Sequence, residues 1–80
     1  MTERTLTIGK SLDAREAAYF VQTAGKFMSN IQLSIDNKKI NAKSIMGTIS
    51  LGISEGQVAI ITADGKDEID AVNEIAKVLE

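Results

Sequence analysis

Residues 30–42, Asn30-Ile31-Gln32-Leu33-Ser34-Ile35-Asp36-Asn37-Lys38-Lys39-Ile40-Asn41-Ala42, hold two short extended runs around a turn. Ile31, Leu33 and Ile35 alternate with polar residues, the period of a strand with one buried face. Asp36-Asn37-Lys38 supplies a turn in which Asn37 tolerates a left-handed backbone. Lys39 to Ala42 then reads as a strand that pairs back in a hairpin. The hairpin makes this part of the sheet antiparallel, and the flanking segments are fitted around it.

Upstream, Thr5-Leu6-Thr7-Ile8 alternates in the same way and predicts a first strand. Gly9-Lys10-Ser11 breaks it. From Ala14 to Met28 the apolar residues Ala17, Phe20, Val21, Ala24, Phe27 and Met28 fall at helical spacing, with Gly25 weakening the end. Downstream, Ser44 to Leu51 carries Ile45, Met46, Ile49 and Leu51 and predicts a brief helix that stops at Gly52. Ile45, Met46 and Ile49 cannot all face the core of so short a helix. One or two are expected on the surface as a binding patch. Gly56 turns the chain into Gln57 to Ala63, a nearly continuous apolar run that suits a central, well-covered strand. Asp64-Gly65 is a turn, and Asp67 and Glu68 place negative charge at the start of a last helix. Val72, Ile75, Ala76 and Leu79 form its apolar stripe. The order strand, helix, strand, strand, short helix, strand, helix predicts one α+β domain over residues 1–80. Its helices cover one face of an antiparallel or mixed sheet.

Composition narrows the chemistry. With 44% apolar residues in 80, the chain has enough for one core, and the low aromatic share of 4% leaves aliphatic packing to fill it. A net charge of −2 gives no electrostatic reason to bind nucleic acid or acidic membranes. There is no cysteine and no histidine. Disulfides, thiolate metal sites, and serine–histidine or cysteine–histidine catalysis are therefore excluded. No apolar run suggests a signal peptide or a membrane span. The expectation is a cytoplasmic protein, without cofactor or metal, that works by being bound rather than by catalysing.

Two helix starts stand out. Asp13-Ala14-Arg15-Glu16 has the spacing of a capping box, in which each acidic side chain satisfies a free backbone N–H. Lys43-Ser44-Ile45-Met46-Gly47 begins with an ordinary serine cap. A phosphate on that serine would add about −1.5 to −2 charges beside exposed apolar groups, making a site for an arginine-bearing partner. Lys43 is a candidate to assist the anion. Lys38, Lys39 and Lys43 otherwise read as a solvated face, and Tyr19 as a partly exposed packing residue.

Asn41-Ala42-Lys43-Ser44-Ile45-Met46-Gly47, continuing through Ser50-Leu51-Gly52-Ile53, resembles the regulatory segment of HPr phosphocarrier proteins of the low-GC Gram-positive type. Ala17-Ala18, Val21-Gln22-Thr23-Ala24 and Ala63-Asp64-Gly65-Lys66-Asp67-Glu68 match that family in order and spacing. The resemblance implies an open-faced β-sandwich, βαββαβα, with a four-stranded antiparallel sheet covered on one face by three helices. In the family a His-Ala-Arg-Pro-Ala segment starts the first helix, and its histidine relays phosphate from enzyme I to sugar-transport enzymes. Here the segment is Asp13-Ala14-Arg15-Glu16-Ala17: the arginine is kept, while histidine and proline are replaced by the two acids of the capping box.

The departure at Asp13 points to a branch of the family that lacks the histidine and serves in catabolite repression. That resemblance implies phosphorylation of Ser44 by the bifunctional HPr kinase/phosphorylase. The phosphorylated form would bind a LacI-type catabolite control repressor. Arg15, Lys43, Ile45, Met46 and Ile49 would form the partner surface, flanked by Ala18 and Val21. Two alternatives stand beside it. Asp13 could accept phosphate as an acyl phosphate, chemistry that usually needs magnesium held by further carboxylates. Or the chain could occupy the docking surface of an HPr partner without taking phosphate, with Asp13 imitating the phosphohistidine charge.

Overall fold

The computed structural model describes residues 1–80. The hairpin forms as β2 (Asn30–Ile35) and β3 (Lys38–Asn41), paired from Gln32 opposite Asn41 to Ile35 opposite Lys38. The turn is tighter than the sequence suggests. Asp36 and Asn37, with φ of 50° and 67°, are both left-handed, so the strand resumes at Lys38 rather than Lys39. Two positive φ values in a two-residue loop match the right-handed twist of the strands on either side. Ala42 lies past the end of β3, yet its N–H still donates to the Ile31 carbonyl at 2.9 Å.

β4 (Val58–Asp64) pairs antiparallel with both β2 and β1 (Thr2–Thr7), giving the order β1-β4-β2-β3. β1 is longer than the expected run at Thr5, because Thr2 to Arg4 continue the pairing with Ala63 to Ile61. Ile8 falls outside the strand and is buried, its N–H donating to the Gln57 carbonyl at 2.7 Å. Three helices, α1 (Ala14–Gly25), α2 (Ile45–Leu51) and α3 (Glu68–Leu79), complete an α+β fold with the helices on one face of the antiparallel sheet. One aliphatic core joins Ile31, Leu33 and Ile35 of β2, Ala59, Ile61 and Ala63 of β4, Phe20 and Ala24 of α1, and Val72, Ile75 and Leu79 of α3.

Three expectations are corrected. β4 is central but covered on one face only: Ala59, Ile61 and Ala63 are buried, while Val58 and Ile60 stay exposed on the open face. An apolar run marks a strand's position in the sheet, not how many of its faces are covered. α1 ends at Gly25 rather than Met28, and Met28 is 85% exposed. The helical spacing of apolar residues runs on past the point where glycine ends the helix. In α2 the buried positions are Thr48 and Leu51, so Ile45, Met46 and Ile49 all reach the surface.

The turn after α1 is held by a residue whose sequence position suggested only favourable charge at the start of α3. Asp67 precedes α3 but makes no side-chain cap there. Its carboxylate instead accepts from the N–H of Met28 at 2.8 Å, the N–H of Ser29 at 3.0 Å, and the hydroxyl of the buried Ser29. Gly65 makes room for this latch, since a Cβ there would stand 2.7 Å from the Ser29 Cα. The Ser29 hydroxyl, and then the two N–H groups, hold the Asp67 carboxyl below its ordinary value of 3.8. A carboxyl depressed in the folded state adds stability above that ordinary value and loses it as pH falls through the folded one. Thermal melting should therefore separate wild type from Asp67→Asn near neutral pH, where an amide would face an N–H with its own NH2. The gap should narrow on acidification below about pH 4. A gap that stays constant to pH 2 or widens would show that the latch does not depend on the carboxylate.

Candidate functional site

The surface built by α1 and α2 is where the sequence places its chemistry. Ser44 is the cap of α2, extended at φ −100° and ψ 115°. Its Oγ accepts the Gly47 N–H at 3.1 Å, and its carbonyl accepts both the N–H (3.0 Å) and the hydroxyl (2.8 Å) of Thr48. The backbone around the serine is thus fixed from both sides. Ser44 is half-buried, and its hydroxyl donates to no neighbour. Gly47 is closely packed: a Cβ there would lie 3.3 Å from Ser44 Oγ and 3.4 Å from Ile40 Cβ.

Around this hydroxyl the apolar side chains stand clear of the core, Ile45 at 38%, Met46 at 73% and Ile49 at 51% exposure. They follow at i, i+1 and i+4 on one helix, so they share one side of it. On α1, Tyr19 is 57% exposed, and Ala18 and Val21 are half-buried, Val21 packing against the core. The Lys43 ammonium donates to the Phe27 carbonyl at 2.8 Å. A cation beside the free carbonyls that follow a helix is favourably placed, and this one ties the exit of α1 to the entry of α2.

At the start of α1 only half of the expected capping box forms. Asp13 Oδ1 accepts the Glu16 N–H at 2.9 Å, but the Glu16 carboxylate turns to Lys10, 3.1 Å away. A nearby ammonium competes with a backbone N–H for a carboxylate, and that competition is invisible in the cap spacing. Arg15 is exposed and makes no ion pair within the chain, which leaves its guanidinium free for an anion. No group of three histidine, cysteine or acidic side chains is placed to hold a metal ion.

The largest groove, about 550 Å³, lies between α1 and α3, between Thr23, Lys26 and Phe27 on one side and Asp70, Asn73 and Glu74 on the other. Neither Asp13, Arg15 nor Ser44 lines it. The candidate site therefore lies outside the grooves of the surface. No helix is long and apolar enough to cross a membrane.

Comparison with known proteins agrees with the fold. The family pattern described as the PTS HPr component phosphorylation site matches residues 2–80. The HPr-like protein Crh of Bacillus subtilis (strain 168) is 49% identical over 65 residues, 81% of this chain and 76% of that protein. Among solved structures, HPr-C-His from Thermoanaerobacter tengcongensis superposes with a TM-score of 0.90 at 49% identity, covering 99% of this chain and 91% of its own. The crystal structure of Bacillus subtilis Crh gives a TM-score of 0.78 at 46% identity over 92% of this chain and 83% of its own.

Proposed function

The chain belongs to the HPr family, and on that premise we propose that it is a cytoplasmic regulatory protein, not an enzyme, switched by phosphorylation of Ser44. The kinase is the bifunctional HPr kinase/phosphorylase, and the phosphorylated form is the co-repressor of a LacI-type catabolite control repressor. Ser44 carries the reading: a fixed, half-buried cap whose hydroxyl donates to no neighbour, beside three exposed apolar side chains. Arg15, Lys43, Ile45, Met46 and Ile49 form the contact surface, with Ala18 and Val21 at its edge.

Nothing in the chain favours phosphoryl relay. With no histidine anywhere, the only acceptor at the family's relay position is Asp13, whose carboxylate is engaged as the cap of α1. The one acid beside it in sequence, Glu16, is paired with Lys10. Asp13 acts as a structural cap, worth about 1 kcal/mol in typical helices.

Incubation with HPr kinase and ATP should add one phosphate that is alkali-labile and resistant to hydroxylamine, as a serine ester is. Phosphorylated enzyme I should transfer no label. Absence of incorporation by the kinase would overturn the co-repressor reading and leave the chain a competitor for HPr partners. A hydroxylamine-sensitive adduct that disappears in Asp13→Asn would instead establish an acyl-phosphate carrier.

A further inference from the structure

We propose that Met46 is an oxidation switch: its thioether takes one oxygen from hydrogen peroxide, and the resulting sulfoxide weakens docking of the partner. The inference rests on the docking role given to α2 above. Without cysteine, the only sulfur atoms open to oxidation are those of Met1, Met28 and Met46. Met46 is 73% exposed in the first turn of α2, between Ile45 and the likewise exposed Ile49. A peroxide molecule reaches its sulfur without any opening of the fold. Met28 is still more exposed, at 85%, but lies in the turn after α1 rather than on α2. It is the natural internal control.

The chemistry is self-contained. A sulfur lone pair attacks one peroxide oxygen, the S–O bond forms and the O–O bond breaks. The departing oxygen leaves as hydroxide and takes up the proton left on the transferred oxygen, giving water. Sulfur is oxidised by two electrons and peroxide is reduced by two. The product replaces a flexible apolar tip by a polar, chiral one, and sulfoxide reductases reverse the change. On the free surface water solvates the new S=O group. In a closed interface that acceptor loses water without a partner, a cost that corresponds to roughly ten- to hundredfold weaker binding.

The test uses the full chain phosphorylated on Ser44, treated with dilute hydrogen peroxide and titrated with a LacI-type catabolite control repressor. Peptide mass mapping locates the added oxygen. The expected result is a roughly ten- to hundredfold loss of affinity that tracks oxidation of Met46 and is restored by methionine sulfoxide reductase. Met28→Leu should stay sensitive, whereas Met46→Leu should hold its own untreated affinity after peroxide. Unchanged affinity with Met46 fully oxidised would overturn the proposal, as would a Met46→Leu chain that still weakens. Failure of the untreated, phosphorylated chain to bind would remove the docking reading, and the switch with it.

Discussion

Truncation of Phe20 to alanine is expected to cost about 3–5 kcal/mol, the range for an aromatic side chain deleted from a packed core. Phe20 is fully buried and heads the large side chains of the interior, where α1 meets the sheet. A domain of this length has about 4–12 kcal/mol in total, so the loss brings the variant close to unfolding at room temperature. Each kcal/mol shifts the melting temperature of a domain this size by about 4–8 °C, so the drop is large by calorimetry or circular dichroism. The neighbouring Tyr19→Ala gives the contrast. Tyr19 is 57% exposed, and its loss should change stability by no more than about 0.5 kcal/mol. Denaturant melts that place Phe20→Ala within about 1 kcal/mol of wild type would contradict the packing of α1. The two variants also separate seat from surface, since Phe20 holds α1 in place while Tyr19 is presented outward.

The hairpin and the inner face of α1 were legible because each depends on residues close together in sequence. Alternation at Ile31, Leu33 and Ile35 fixes which face of β2 is buried, and Ala17, Phe20 and Ala24 are, with Thr23, the residues α1 buries. Features that depend on partners from distant segments were not legible. Asp67 serves an amide 39 residues away, and Lys43 a carbonyl 16 residues away. Local spacing instead suggested helix-start charge for Asp67 and, for Lys43, help to an anion at Ser44. The open face of β4 escaped for a related reason: Val58 and Ile60 are as apolar as Ile61, and only the helices' position decides which are covered. Ser44 was legible as a cap from its own neighbours, and the family resemblance gave that cap a role. The surface around it came out larger than expected, because α2 has seven residues and Thr48 and Leu51 already fill its inner face.

Phosphorylated protein should bind the catabolite control repressor, while the unphosphorylated chain and Ser44→Ala should bind it far more weakly. The phosphate brings about −1.5 to −2 charges and oxygen acceptors for one to three charge-assisted hydrogen bonds from a basic partner. Hydrogen bonds to charged groups contribute about 1.5–3 kcal/mol each, and every 1.4 kcal/mol is tenfold in affinity. Two such bonds give a difference of roughly a hundredfold or more, readable by calorimetry or surface binding. Within the chain the adjacent Lys43 ammonium is held by the Phe27 carbonyl, and Arg15 is the cation of this surface left without a partner. The repressor must bring further cations, and added salt should weaken the phosphorylated complex more than the unphosphorylated one. Ser44→Asp should recover only a small part of the difference, since a carboxylate carries a single charge and two oxygens. The same surface carries Asp13 at the start of α1, a fixed negative charge where the family keeps a neutral or phosphorylated histidine. Equal affinities for Ser44→Ala and the phosphorylated chain would show that the serine is only a helix cap.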